Sequence, residues 1–370
     1  MQEIHIKRFF ECLIPVTVCN LKCSYCYVIQ RNYRNMRLAE LKYTPEHIGK
    51  CLTKERLGGE CFFSICGAGE TLAQPEIFKI TKEILKNGHI VNITTNGTLK
   101  NRFQELENFT KEEKERLHFS FSFHYLELIR LNLLDTFFDN VQFVKQEGCS
   151  FVVQINLTDE YLPYLNKIKS VCESKIGAWP QVAATRKESS DLVKIEFLTD
   201  LSEEEYIMRG QEFNSPLFDY TIENFNVKRT EFCYAGQRSG TLNLADGTLN
   251  KCYADPKPQK IFDDPNKPII FEPIGTNCGC AFCLNSSHFM SLGVIENGDK
   301  RTYCSLRDRP NAGWFNETVR TALSRKLWET NPSLDLSEQE KYNKKQKRVI
   351  FYYNARSVIA KASKKIIGRK

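Results

Sequence analysis

Six short segments rich in β-branched and aromatic residues recur before residue 200, each separated from the next by a stretch with helical signals. They are Phe9–Val16, Cys61–Cys66, Ile90–Thr95, His118–Tyr125, Ser150–Leu157 and Val193–Leu198. Alternation of this kind requires parallel strands joined by crossover helices, because a two-residue hairpin cannot return the chain in the same direction. The helical signals are specific. Thr44-Pro45 supplies an N-cap followed by proline at the first helical position. A helix from Pro75 to Asn87 meets Gly88 where a left-handed stop is needed. Ser202 precedes Glu205 at capping-box spacing. Six units are too few for a closed eight-stranded barrel, so the expected fold is α/β, a partial (β/α)6 barrel.

The pattern changes after Glu212. Gly, Asn, Asp and Pro become frequent, and Cys233, Cys252, Cys278, Cys280 and Cys283 crowd together. Residues 1–212 therefore read as the main domain and 213–310 as a small loop-rich domain stapled by metal. Residues 311–370 read as a helical, basic extension that opens with a helix over Ala312–Trp328. In the second part, the turn Ala245-Asp246-Gly247-Thr248 predicts a hairpin with Cys233 and Cys252 near its outer ends.

The chain has 370 residues, 41% hydrophobic and 26% charged, an ordinary balance for a water-soluble fold. No apolar run approaches the roughly 20 residues of a membrane span, and the first residues lack a secretory apolar segment. The expected location is cytoplasmic. In a reducing compartment the 15 cysteines point to metal or catalysis rather than to disulfides. Cys12, Cys51, Cys61, Cys66, Cys149 and Cys172 read as small buried hydrophobes.

Cys19, Cys23 and Cys26 are spaced C-x3-C-x2-C on the loop that follows the first strand, the end where barrel-like folds collect active-site residues. Three thiolates can hold three corners of a cubane cluster, leaving one iron open. Spacing alone leaves a zinc site or incidental buried thiols as alternatives. Cys233, Cys252, Cys280 and Cys283 could likewise hold either a cluster or zinc, with Cys278 as a substitute ligand.

The cysteine triplet, with aromatic Tyr25 before its last member, resembles the hallmark of the radical S-adenosylmethionine (SAM) superfamily. The resemblance extends from Phe9 to Leu198. Gly67-Ala68-Gly69-Glu70 resembles the family's Gly-Gly-Glu motif, which implies that Gly67, Gly69 and Glu70 hold the amino group of SAM; Ala68 departs from the pattern. Thr94 and Asn96 in Thr94-Thr95-Asn96-Gly97-Thr98, and Ser122 and His124 in Ser122-Phe123-His124-Tyr125, match polar SAM contacts at later strand ends. The resemblance implies a [4Fe–4S] cluster, SAM as cofactor, reductive cleavage to a 5′-deoxyadenosyl radical, and hydrogen abstraction from substrate. It also implies a flavodoxin- or ferredoxin-type electron donor. The C-x13-G-x4-C run from Cys233 through Gly247 to Cys252 resembles the opening of a SPASM or twitch domain. Its shorter twitch form implies a second, auxiliary [4Fe–4S] cluster.

The expected outcome is oxidation or epimerisation, with Cys304 as the thiol that returns hydrogen in the second case. The short stretch before Cys19 leaves no room for the peptide-binding domain of many relatives, so a carbohydrate or other small molecule is the expected substrate, with a peptide as the alternative. An alternative of another class is a non-catalytic iron–sulfur or zinc protein. No nucleic-acid partner is expected.

The formal charge of +7 is uneven: residues 341–370 carry eleven Lys or Arg and no acid, which leaves the preceding chain at −4. As a helix, Val349–Ile367 would place Phe351, Ala355, Val358, Ile359, Ala362 and Ile366 on one face, bordered by positive charge. Such a helix suits the anionic inner face of a membrane. The expected outcome is salt-sensitive flotation of the full chain with anionic liposomes and none for a chain ending at Gln346. Equal failure of both to float would remove the membrane contact.

Overall fold

The computed structural model describes residues 4–188, 195–253, 258–276, 283 and 286–347. Among the described residues nine strands form one sheet: β1 (Arg8–Ile14), β2 (Cys61–Gly67), β3 (Ile90–Thr95), β4 (Leu117–Ser122), β5 (Ser150–Leu157), β6 (Gln181–Ala184), β7 (Ser239–Asn243), β8 (Thr248–Asn250) and β9 (Gln259–Lys260). Their order is β6-β5-β4-β3-β2-β1-β7-β8-β9. The first six are parallel, and each lies beside its predecessor. Right-handed crossovers between sequential neighbours all place their helices on the same face, which is how a barrel begins. The barrel stays open, as expected for six units.

Five of the six expected strands occur within three residues of their predicted ends. The sixth does not. β6 is Gln181–Ala184, and Phe197 makes only an isolated antiparallel bridge to Arg186. β6 has four residues and one β-branched side chain, so it lacks the compositional signal that Val193–Leu198 carries. The caps are where sequence put them: the Thr44 side chain accepts from the His47 N–H, and Ser202 and Glu205 form both bonds of a capping box. The helix expected over Ala312–Trp328 shrinks to Glu317–Leu323. Asn316 caps its start, and Gly313 takes a left-handed φ of 64° just before it.

The hairpin forms as expected, β7 pairing antiparallel with β8 around Gly247 at φ 71°. A feature not foreseen is that β7 also runs parallel to β1, so the sheet continues across residue 212. The tail residues 349–367 lie outside the described residues, and among the described residues no helix is long and apolar enough to cross a membrane.

The two faces of the sheet differ. Phe10, Phe63, Ile65, Val91, Ile93, Phe119 and Phe121 point to the crossover helices and are fully buried; Phe119 and Phe121 pack on Phe103, and Phe119 on Phe78. The opposite, concave face carries Glu11, Ser64, Cys66, Asn92, Thr94, His118, Ser120 and Ser122, by the two-residue period of a strand. C-terminal segments cover its lower half. Phe9 of β1 meets Phe62 at 5.4 Å between ring centroids, Phe289 at 5.7 Å and His288 at 5.9 Å. Phe9→Ala would remove this bridge, with an expected cost of about 3–5 kcal/mol. That is a large share of an ordinary domain's stability. Denaturant unfolding of the anaerobic protein checks it.

Candidate active site

The chain leaves β1 into a loop that carries Cys19, Cys23 and Cys26, and this loop is anchored to the ends of most of the parallel strands. At the end of β2, Gly69 N–H donates to the Val16 carbonyl at 2.7 Å and Glu70 N–H to the Val18 carbonyl at 2.8 Å. The approach is so close that a Cβ on Gly69 would lie 2.3 Å from the Val18 oxygen. Only glycine permits it. Past β3, Asn20 accepts from Asn96 Nδ2 at 2.9 Å and donates to Thr98 Oγ1 at 2.8 Å. Past β4, Lys22 N–H donates to Glu127, and the Tyr25 hydroxyl lies 2.6 Å from His124 Nδ1 and 2.9 Å from the Tyr161 hydroxyl. Past β6, Gln30 Nε2 donates to the Arg186 carbonyl at 3.3 Å.

These strand ends surround a cavity of 280 Å³. Every residue expected from sequence to bind the first cluster or SAM lines it: the three cysteines, Tyr25, Gly67, Gly69, Glu70, Thr94, Asn96, Ser122 and His124. Asn156, Arg186 and Cys66 line it too, and sequence reading missed them. Asn156 and Arg186 carry no local motif. Cys66 stands directly before Gly67 and alternates with Ser64 toward the concave face, a signal that the buried-hydrophobe reading overlooked.

Glu70 is the best-tied group in the wall. Its carboxylate accepts from Thr95 Oγ1 at 2.6 Å, Asn96 N–H at 2.7 Å and Leu72 N–H at 3.0 Å. Burial nevertheless pushes its carboxyl up from the ordinary range, against those three bonds. Burial also holds His124 down to about 4, so its imidazole is neutral and serves Tyr25 rather than carrying charge. Burial raises the Cys19 thiol, and it raises Cys23 and Cys66 to about 12. Cys66 lies against Thr94 and donates to the Gly67 carbonyl at 3.4 Å, which leaves a neutral thiol in the cavity wall.

Cys304, expected as a hydrogen donor, is not at this cavity. It is buried beside Ser324, Asp308 and Arg320. Cys233, Cys252 and Cys283 all pack on the main core, and Cys233 and Cys283 also touch a small cluster of Leu217, Tyr220, Met290, Ile295 and Leu306. Cys278 and Cys280 lie outside the described residues. Cys12, Cys51, Cys61, Cys149 and Cys172 are buried as expected.

Residues 13–160 match the family model described as the radical SAM superfamily. That stretch, less than half of the chain, is what the chain shares with the radical SAM superfamily. No curated protein matches the chain. Among solved structures it is similar to anSMEcpe with bound AdoMet, at 18% identity and TM-score 0.50, covering 94% of this chain and 95% of that one. It is also similar to Streptococcus suis SuiB bound to SAM, at 17% identity and TM-score 0.47. That match covers 70% of this chain, which spans 64% of SuiB's length. These likenesses are of fold.

The radical SAM match implies SAM and a [4Fe–4S] cluster, and the residues present suit both. Among the described residues no three His, Cys, Asp or Glu side chains converge as a group that could hold a metal ion. A cubane makes a different demand: three thiolates that bind three different irons around one cluster. Cys19, Cys23 and Cys26, close enough to act on one another and bordering one cavity, meet it. Beside them, the wall offers glycine backbone and a carboxylate to an ammonium, and hydroxyl and amide groups to polar ligand atoms.

Gly69→Ala would drive its new methyl into the Val18 carbonyl and displace the cysteine loop. The expected outcome is a folded protein that loses iron after anaerobic reconstitution. Full iron content in this variant would show that the close approach is dispensable.

Proposed function

We propose that this radical SAM enzyme binds SAM in the cavity at the strand ends and removes a hydrogen atom from a substrate presented over the concave face of the sheet. The observation that carries the reading is that one cavity gathers the three cysteines and the polar ends of β2, β3 and β4. When bound, cluster and SAM together supply the one-electron chemistry that opens a carbon–sulfur bond. The chain's own residues position and exclude. Cys19, Cys23 and Cys26 hold the cluster. The carbonyls of Gly67–Gly69 and the remaining acceptor capacity of Glu70 face the ammonium of SAM. Thr94, Asn96, Ser122 and Asn156 offer hydrogen bonds around the rest of the molecule. Tyr25 and His124 brace the cysteine loop rather than exchange protons.

Cys233, Cys252, Cys280 and Cys283 hold a second [4Fe–4S] cluster in this proposal. It would accept the substrate radical's electron while a base takes the proton, giving net oxidation. Epimerisation is the second reading, and the neutral thiol of Cys66 at the cavity favours it. For the substrate, a peptide takes first place over the carbohydrate expected from sequence. The support is that anSMEcpe and SuiB have each been solved with a bound peptide.

Replacing Cys19, Cys23 and Cys26 together with Ala should lower iron by about half and abolish 5′-deoxyadenosine formation. The iron that remains should show a [4Fe–4S] spectrum. Continued 5′-deoxyadenosine production would end the reading. Zinc in place of the residual iron would remove the electron acceptor from the second domain.

A further inference from the structure

A second set of polar groups lies on the concave face, below the cavity, and nothing in the cavity accounts for it. His118 stands on β4 four residues before Ser122 and on the same face, so about 13 Å of strand separates the two. Its imidazole is fully buried between Phe315, at 4.6 Å between ring centroids, and Tyr303, at 6.3 Å. Among the described residues neither ring nitrogen has a hydrogen-bond partner. The Tyr303 hydroxyl, also fully buried, faces Ser120 without closing a hydrogen bond. One helical turn further on, Arg307 lays its guanidinium 3.9 Å over the Tyr303 ring and donates through Nη2 to the Ser287 carbonyl at 2.9 Å. Its Nη1 has no partner among the described residues, although the residue is 3% exposed.

Four orphaned polar atoms from three residues thus meet in one neighbourhood. Buried polar groups in native structures are nearly always hydrogen-bonded, and a buried charge that is left short is the costliest exception. The sequence places His118 far from Tyr303 and Arg307, which share one helix, so no local turn explains the meeting of the three. The Tyr303–Arg307 helix brings them together, since it lies inside the open barrel: the Arg307 carbonyl accepts from Gln181 of β6 at 3.1 Å, and Glu11 of β1 acts on its guanidinium. That carboxylate does not offset the desolvation of the guanidinium. Three of these four atoms can donate, and the fourth, the second nitrogen of a neutral imidazole, accepts. Arg307 Nη1, the Tyr303 hydroxyl and the one N–H of a neutral imidazole are all donors. A donor-rich, cationic pocket calls for an anionic acceptor.

We propose that Arg307, Tyr303 and His118 bind an anionic group of the substrate, a carboxylate or a phosphate, which reaches them from the SAM cavity along the polar rungs of Ser120 and Ser64. Only the ligand's source rests on the radical SAM reading; the site rests on these residues. The substrate would then lie lengthwise on the concave face, its charged end at the Tyr303–Arg307 helix and its reacting carbon at the cavity.

The test uses the full chain, anaerobically reconstituted, without SAM or turnover. Sodium acetate and inorganic phosphate are titrated separately at constant ionic strength, and the thermal unfolding midpoint is read. A saturable rise with acetate or with phosphate is expected, and the stronger of the two identifies carboxylate or phosphate as the natural group. Arg307→Lys should raise the half-saturating concentration about tenfold or more, because a point charge replaces a planar fork. If that variant does not fold, Tyr303→Phe decides, since it keeps the ring and removes one donor; a several-fold weakening is expected. No saturable rise in the unaltered protein overturns the proposal. So does unchanged half-saturation in the folded variant, which would mean an adventitious ion only. Because the readout needs no SAM, it can fail while SAM cleavage is intact, and the reverse.

Discussion

The site depends on one buried carboxylate. Glu70 stands at the end of β2, donates its own N–H to the segment that leads into the cysteine loop, and takes three hydrogen bonds from Leu72, Thr95 and Asn96. Asn96 in turn reaches Asn20, between the first two cysteines. Removing the carboxylate would strand up to three buried donors, each at about 1–3 kcal/mol, and would loosen the loop whose sulfurs must surround a cluster. Preorganisation here is electrostatic as well as steric. Three donors hold a carboxylate that burial alone would drive toward the neutral form.

Much of this was legible in the sequence because it is local. Strands β1 to β5 announce themselves by runs of β-branched and aromatic residues, and the caps at Thr44 and Ser202 by one hydroxyl and its spacing. The cavity residues were legible because each stands at the end of a strand or in the loop that follows it, where parallel topology must bring strand ends together. What failed, failed for physical reasons. β6 is held by the pairing of β5 and by Ser215, whose hydroxyl accepts from the Val182 N–H, so tertiary context supplies what its composition lacks. The helix expected over Ala312–Trp328 is cut by Gly313 and Asn316, whose turn and cap outweigh the periodicity.

Long-range placement was the illegible part. Nothing near Cys304 tells that it packs on Arg320 and Asp308, and nothing near Cys66 except its alternation tells that it reaches the cavity. The same holds for His118, Tyr303 and Arg307, which sequence analysis passed over. Their meeting is a property of the barrel's open side, where the Tyr303–Arg307 helix comes to lie between β1 and β6. A closed eight-stranded barrel fills its interior with bulky apolar layers. This one places serines, an asparagine, a histidine and an arginine there.

The pairing of β1 with both β2 and β7 has a temporal consequence. β1 ends at Ile14, five residues before Cys19, and its second neighbour, Ser239–Asn243, is more than two hundred residues away along the chain. Contacts of such separation form late, since the intervening chain must first be ordered. During synthesis the N-terminal part folds before the C-terminal part exists. The strand that leads into the cysteine loop is therefore a sheet edge until β7 arrives to pair with it.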